Sequence, residues 1–481
     1  MSRTALLIFP VLVTWTALAG SRTSANEHRP PLAPRSNYLV LDTRVVAAAE
    51  NVRLAVGSVT KHPANPLFGE DRPWEVRFDN LYANIIHDRE AGIYRCWYSP
   101  FIRDVSDKPA MENWDKISYG AELRTLRGAN AREMGICYAT SKDGIHWEKP
   151  ELGLVEFNNS TANNLILRGP HGAGLFRDTR ETDPQRPFKL FYKGAGSMKV
   201  RFSADGLHWS REQPAAGIRV PGDTHNNAFW SPERKRYVGI TRMKEGQRLV
   251  ARVESEDFEH WTPAVEVMRG DVEKQTYAMP TFQQDGLYLG LVMILRRHDD
   301  RVHCELAWSP DTVNWQRIDP GTPLIPLSEK RGDYDWGCAY AAACPIVQPD
   351  GTIRIYYGAS NGRHTSWRDG FLALATLRPD GWAGFVPADR SRPAFVRTAP
   401  LSRIGRTLRV TSDADESGYV QVTALDKDGS ALAQSEPLRG TSTAAPVQWP
   451  GGFSLAAKKG EVVQLEFNLR DAQLYAFRFT D

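Results

Sequence analysis

Between Gly222 and Trp230 the chain reads GDTHNNAFW. Five consecutive polar residues, Asp223, Thr224, His225, Asn226 and Asn227, run straight into an apolar stretch. Burying such a cluster is costly unless every group finds a partner, so these residue types suit a site better than a core. A polar turn that bonds its own backbone would carry the same types. On an extended strand Asp223, His225 and Asn227 project to one side, and an imidazole there can donate a proton near neutrality. Other stretches also set polar residues just ahead of an apolar run. RFDNLYAN brings Asp79, Asn80, Tyr82 and Asn84, and DYDWGCAY brings Asp333, Asp335 and Tyr340. GPHGAGL offers His171 and KQTYAMP offers Tyr277. Glycosidic cleavage uses two carboxyl-type groups flanking the bond, one protonated and one ionised. Asp79, Asp223, His225 and Asp335 are the candidate catalytic residues.

Arginine recurs in the segments expected to return to the same end of the molecule: Arg103, Arg242, Arg296, Arg297, Arg363 and Arg368. Guanidinium groups grip carboxylate or sulfate through two parallel hydrogen bonds, which would suit an anionic sugar. Neighbouring Asp104, Asp299 and Asp369 could instead neutralise these arginines on solvated loops. The candidate substrate-binding residues are Asn80, Asn227, Arg242, Tyr277, Arg296, Tyr340 and Arg368.

What must position these groups is a repeat. SKDGIHW, SADGLHW, SEDFEHW and SPDTVNW end at Trp147, Trp209, Trp261 and Trp315, and a worn copy, RPDGW, ends at Trp382. The tryptophans are 62, 52, 54 and 67 residues apart, a period typical of stacked or radial units. In each copy the Asp and Ser can bond nearby backbone NH groups, Gly accepts a turn conformation that side chains resist, and Trp can pack between neighbouring sheets. The motif is similar to the Asp-box of sialidases. It reads as a turn staple rather than a ligand site. Around it lie short runs rich in Tyr, Val, Ile and Phe, such as FKLFYKG, RYVGITR, LYLGLVMILRR and TIRIYYGAS, joined by Asp-Gly and Pro-Asp turns, which predict hairpins. Five such sheets arranged radially predict an all-β, five-bladed β-propeller over residues 37–392. Alternating strands with a KDG turn predict a small β-sandwich over 393–481. In a propeller the starts of the innermost strands converge on the axis, so the polar residues named above would meet there.

The 481 residues allow one large and one small domain. Hydrophobic residues at 41% and charged residues at 24% are ordinary globular proportions, and a net charge of +3 gives no reason to expect nucleic acid as a partner. The start, MSRTALLIFPVLVTWTALAGS, has Arg3, a short apolar run and Ala17-Leu18-Ala19. It reads as a signal peptide over 1–19, followed by a polar, Pro-rich lead-in over 20–36. The mature protein is expected to be secreted or periplasmic, with no membrane partner after signal removal. Its five cysteines show no metal-ligand spacing and read as buried thiols. No cofactor is expected; a structural calcium on the axis is compatible with the fold, but no ligand spacing demands one.

KHPANPLFGEDRPWE, then FDNLYANIIHD, the SxDGxxW repeats, RIYYGAS and the terminal LRDAQLYAFRF together resemble bacterial exported proteins akin to the N-terminal domain of glycoside hydrolase family 32. That group is related in fold to levanases, invertases and arabinanases. The resemblance implies a five-bladed propeller that acts on, or binds, carbohydrate. It implies that Asp79, at the start of the first blade, is base or nucleophile. The family's WMNDPNG is absent, FRDTRE from Phe176 stands where RDP is expected, and no EC acid motif occurs. Asp178 in FRDT, a counterpart of the family's transition-state stabiliser, aligns with the far end of a strand. The anhydro-galactosidases, another five-bladed group, resemble this chain in using a histidine acid, which would give that role to His225. The expected activity is an exported glycoside hydrolase with a carbohydrate substrate. A non-catalytic carbohydrate-binding propeller, or a polysaccharide lyase using His225 and Tyr340, are the alternatives.

Overall fold

The computed structural model describes residues 35–104, 132–402, 405–458 and 461–481. The expected signal peptide, and all but the last two residues of the lead-in, lie outside them. The protein is all-β: among the described residues every regular element is a strand or a short 3-10 turn, and no helix is long and apolar enough to cross a membrane.

The Trp-anchored repeats form antiparallel sheets in chain order. The first sheet has strands Asn84–Asp88, Ile93–Tyr98, Arg132–Ser141 and Leu165–Arg168, and the second has His171–Arg177, Phe188–Lys193, Met198–Ser203 and Gln213–Pro214. The third comprises Asn227–Ser231, Arg236–Glu245, Gln247–Ser255 and Val265–Arg269. In the fourth, Lys274–Ala278 and Thr281–Gln284 follow one another along one edge of Leu287–Arg296, whose other edge pairs with Arg301–Ser309, and that strand pairs with Gln316–Arg317. The fifth runs from Cys338–Ala341 through Ile353–Ser360 to Gly370–Leu377, and its outermost strands, Thr60–Lys61 and Phe68–Gly69, come from the beginning of the chain. A single parallel pairing, Val302 with Cys338, joins the fourth and fifth sheets into one hydrogen-bonded surface.

The first strands touch in sequence. Asn84 Nδ2 donates to the Ala173 carbonyl at 2.8 Å, and Asn226 N donates to Gly172 O at 2.9 Å. Thr281 N donates to Asn227 Oδ1 at 2.9 Å, and Ala343 N returns to Ala83 O at 3.1 Å. The second and third sheets approach closely enough that glycine is required. A Cβ on Gly172, whose φ is +59°, would lie 1.6 Å from Thr224 O, and one on Gly174 would lie 1.8 Å from Asn226 O.

The seven-residue motif is the turn staple its chemistry predicts. Ser203 Oγ accepts from Gly206 N at 2.9 Å, and Asp205 Oδ1 accepts from the Leu207 and His208 NH groups at 2.8 Å. The copies around Asp143, Asp257 and Asp311 repeat this pattern. The glycine position is left-handed in all four. Gly144 and Gly206 adopt φ of +75° and +80°, and Phe258 and Thr312 adopt 71° and 67° despite their side chains. The tryptophans reach the preceding sheet: Trp147 meets Tyr356 of the fifth sheet at 6.0 Å, Trp261 stacks on Phe191 of the second at 4.9 Å, and Trp382 meets Phe282 of the fourth at 5.2 Å.

The expected boundary at residue 37 differs from what is seen. Tyr38–Leu39, Val46–Glu50 and Val52–Val56 pair not with the repeats but with the C-terminal sheet, in which Thr407–Leu425 and Gln464–Thr480 run side by side. Ala383–Pro387, assigned to the repeats by sequence, belongs to this sheet too. The reason is apolar coverage: Tyr38, Val40 and Val45 are buried against Val410, Phe467 and their neighbours in one core. With Ala394–Thr398, Ala431–Gln434 and Ser442–Pro446 these make nine strands hydrogen-bonded as one sheet, and register shifts at Thr411/Ser412 and Ala414/Tyr419 interrupt its longest pairing.

Removing a staple hydroxyl leaves a buried NH without its acceptor. Ser203→Ala is expected to lower unfolding free energy by about 1–2 kcal/mol, whereas His208→Ala, at a largely exposed ring, changes it by less than about 0.5 kcal/mol. Urea denaturation of the two variants checks the pair; equal losses would mean that the turn is not held by Ser203.

Candidate functional site

Ahead of the first strand, Leu81 and Tyr82 both adopt left-handed backbone, with φ of 61° and 45°. Bulky residues rarely do so, and such strain persists only where surrounding contacts enforce it. Here the turn carries Asp79, Asn80 and Tyr82 to one place. Asp79 Oδ1 accepts from Arg368 Nη2 at 2.9 Å and lies 3.4 Å from Arg77 Nη2. Burial alone would raise the Asp79 pKa, but the charges of Arg368 and Arg77 outweigh it and hold the carboxyl at about 2. Its Oδ2 makes no hydrogen bond or ion pair among the described residues.

Arg368 is fully enclosed. It donates to Asp79 O at 3.1 and 2.7 Å and to Asn80 Oδ1 at 2.9 Å, and its Nη1 meets the carbonyls of Arg363, His364 and Ser366. It is a clamp on the Asp79 turn, not the free substrate ligand expected from sequence. Asn80 is likewise committed: its Nδ2 donates to the Tyr82 hydroxyl at 2.7 Å and to the Tyr277 hydroxyl at 3.1 Å.

Asp223 stands ahead of the third strand, with half of its side chain exposed. His171 Nε2, from the second sheet, lies 2.9 Å from Asp223 Oδ1, Lys193 Nζ lies 3.3 Å from the same oxygen, and Arg242 Nη1 lies 3.6 Å from Oδ2. The bond from His171, reinforced by these charges against the cost of burial, drives the Asp223 carboxyl far below the usual carboxylate range. At that separation an ionised Asp223 can only accept, which sets His171 Nε2 as the donor, and Nδ1 makes no hydrogen bond among the described residues. The edge of the Tyr82 ring meets His171 at 5.8 Å. The two carboxylates share surroundings: His171 acts on the charge of both, and both press on the Tyr82 phenol, whose burial already pushes its pKa up.

Tyr277 forms a wall. Arg242 sits 4.2 Å from its ring centroid and donates to its carbonyl at 3.2 and 2.7 Å. Its ring meets Tyr340 at 5.5 Å and His364 at 5.0 Å. Thus Asp79, Asn80, Asp223, Arg242, Tyr277, Tyr340 and Arg368 gather as expected, joined by His171, Tyr82, Arg77 and His364. His171 was visible in HGAG. Arg77 opens the RFDN stretch itself, and His364 lies between Arg363 and Arg368, so both stood in stretches already singled out for other residues.

Four expected site residues have other occupations. His225 is buried against Tyr82 at 5.3 Å, with Nε2 3.4 Å from Asn84 Oδ1. Burial lowers its pKa from 6.5 to about 4, so it is a neutral core ring at pH 7 rather than an acid poised near neutrality. Asp335 is buried against the fifth sheet itself, 2.6 Å from Lys61 Nζ of its outermost strand and accepting from the Tyr357 hydroxyl at 3.0 Å. Asn227 cross-links the third and fourth sheets through Thr281 N, and Arg296 forms a two-bond pair with Asp299 at 3.2 and 2.6 Å. Asp178 accepts from the Tyr237 hydroxyl at 2.6 Å, outside the cluster.

Two clefts lie elsewhere. One of about 560 Å³ opens where Thr60, Thr376 and Arg378 face Asp413 and Tyr475, and another of about 650 Å³ lies among Ile86, Phe176, Phe229, Phe282 and Ile346, at the C-terminal halves of the first strands. Neither is lined by any residue of the cluster. Among the described residues no three His, Cys, Asp or Glu side chains gather as a metal site.

No protein-family model matches the chain, and no curated protein matches it by sequence. Among solved structures, the chain is similar to an N-acetylgalactosamine deacetylase from F. plautii in complex with blood group B trisaccharide. Identity there is 16%, covering 68% of this chain and 95% of that one, with a TM-score of 0.43. It is also similar to a β-1,2-mannobiose phosphorylase from Listeria innocua in complex with β-1,2-mannobiose, at 13% identity over 66% of this chain and 96% of that one, with a TM-score of 0.48.

The depressed His225 pKa has a consequence for folding. As pH falls below 6.5 the unfolded state takes up a proton that the folded state refuses until about pH 4. Stability is therefore lost on acidification across that window, by up to about 3 kcal/mol for this ring. In His225→Gln that slope should shrink by nearly one proton, measured by urea denaturation from pH 4 to 7; an unchanged slope would show that the ring is not buried neutral.

Proposed function

We propose that this chain is an exported carbohydrate-active enzyme of glycoside hydrolase type, its five sheets being the blades of a propeller and the Asp79–His171–Asp223 cluster its active site. The observation that supports it is the meeting, from three different sheets, of one ionised carboxylate with an uncommitted oxygen and one carboxylate-bound imidazole. Cleavage needs a group that stabilises positive charge at the anomeric carbon and a group that carries a proton. A carboxyl with a pKa of about 2 is a weak base, so Asp79 serves as nucleophile or charge stabiliser through Oδ2. Neither Asp79 nor Asp223 has the raised pKa of a carboxylic acid catalyst, so the proton falls to His171. In its imidazolium form, His171 Nδ1 gives its proton to the leaving oxygen as the C–O bond breaks, while Nε2 stays on Asp223. Water then delivers hydroxide to the anomeric carbon and returns its proton to Nδ1, closing the cycle.

A second reading, a polysaccharide lyase, draws on the cations Arg242 and Lys193 beside the same dyad. They would neutralise a uronate while His171 takes the proton next to it.

Reducing-end release over a polysaccharide panel tests the enzyme, and absorbance of an unsaturated product separates lyase from hydrolase. Asp79→Asn and His171→Asn are each expected to lower kcat at least about 100-fold. Asp335→Asn lowers the Tm, because Lys61 loses its partner, while kcat per folded molecule stays within about threefold. Sugar binding without turnover on any substrate would make the protein a binding module, and full activity in both site variants would put the chemistry elsewhere.

A further inference from the structure

The positive charge around Asp223 exceeds what the protein neutralises. His171, Lys193 and Arg242 all converge on that one carboxylate. Beside them Arg248 packs its guanidinium 5.3 Å from the centroid of the Tyr277 ring that also carries Arg242, and its Nη1 donates to Gln275 Oε1 at 3.0 Å. Among the described residues no carboxylate pairs with Arg248. Burial and the neighbouring Arg242 both disfavour its charge and outweigh the support that the more distant Asp223 carboxylate gives it. Arg368 adds another fixed cation against Asp79, while Arg77, 3.4 Å from Asp79, is balanced by Asp104 at 3.0 Å. A half-buried guanidinium held next to another, with Asp223 the one carboxylate shared among them, is a standing cost, and such costs concentrate where a ligand relieves them.

We propose that Lys193, Arg242 and Arg248 form a subsite for an anionic substituent, a carboxylate or sulfate ester, on the sugar bound beside the His171–Asp223 pair. This rests on the cluster being a carbohydrate site, and it adds the substrate class. Planar guanidinium groups meet both oxyanions with paired hydrogen bonds. Lys193, about a third exposed, supplies a third donor at the rim. Tyr277 orders both: its carbonyl holds Arg242 Nε and Nη2 and leaves Nη1 toward Asp223, and its ring carries Arg248, whose Nη1 alone is bonded among the described residues, to Gln275.

Calorimetric titration of the whole protein with trigalacturonate, a sulfated galactan trisaccharide and galactotriose tests this, using Asp79→Asn where the sugar is consumed. At least one anionic probe should bind tenfold or more tightly than galactotriose, and which one does identifies the anion. That advantage should shrink between 0.05 and 0.5 M salt. Arg248→Gln and the more exposed Lys193→Gln should each erase most of it while leaving galactotriose affinity unchanged. Equal affinity for charged and neutral probes, no binding of either anionic probe, or variants that weaken all three alike would overturn the proposal. Anion binding without cleavage of any polysaccharide would overturn the enzyme reading and leave this one standing, whereas cleavage confined to neutral glycans would do the reverse.

Discussion

The guanidinium of Arg368 is the contact on which the site depends. It enters from the loop between the second and third strands of the fifth sheet. It gathers the carbonyls of its own loop and ends on Asp79 O, Asp79 Oδ1 and Asn80 Oδ1, ahead of the first sheet. The beginning and end of the repeat array are thus fastened at the place where the chemistry is proposed. A second fastening lies further out, where Thr60–Lys61 and Phe68–Gly69 complete the fifth sheet. The inner bond is worth more than its hydrogen-bond count, because a buried charge left without Asp79 would have nowhere to discharge its desolvation cost.

Close backbone approach does the remaining positioning. A Cβ on Gly358 would lie 2.6 Å from Asn80 O, and one on Gly370 would lie 2.4 Å from Phe78 O, so the fifth sheet presses directly on the Asp79 turn. That pressure accounts for left-handed backbone at Leu81 and Tyr82, which neither residue would adopt freely. On the other side Gly172 lets Thr224 O come close enough for His171 to reach Asp223. Two non-neighbouring stretches, FDN and GDT, are brought into one electrostatic neighbourhood by glycines that belong to neither.

The staples were legible because they repeat, and because their chemistry is local: Ser203, Asp205 and the NH groups they bind lie within six residues. Phe258 and Thr312 mark the limit of that legibility, since their left-handed backbone is imposed by the motif rather than permitted by the residue. The site was half legible. Polar residues ahead of a strand identified Asp79, Asp223 and Tyr277, yet the same signal selected Asp335 and Asn227. One of these pairs with Lys61 within the fifth sheet, and the other bridges to Thr281. A strand turns successive side chains to opposite sides, and no local pattern says which side meets the axis. The strand begins only at Asn227, so Asp223 and His225 do not share a face as a strand would place them: His225 turns into the core, and His171 from HGAG is the ring beside Asp223. The N-terminal strands were misassigned because their partners, Phe385 to Val396 and beyond, lie more than three hundred residues away in sequence.

The electrostatics of the cluster point in one direction. Asp79 and Asp223 are held ionised by cations, Tyr82 and Tyr340 are held protonated by burial, and His225 and His364 are held neutral by burial. Each is fixed in one charge state near neutrality, as a preorganised environment requires. His171, with about a fifth of its side chain open and one ring nitrogen committed to Asp223, is the ring that solvent and substrate can reach. A site whose carboxylates are both pinned by positive charge cannot divide acid and base roles between them as a paired-carboxylate glycosidase does. The proposed routing of the proton through the imidazole rests on that pinning, and the proposed anion subsite rests on the cations gathered beside it.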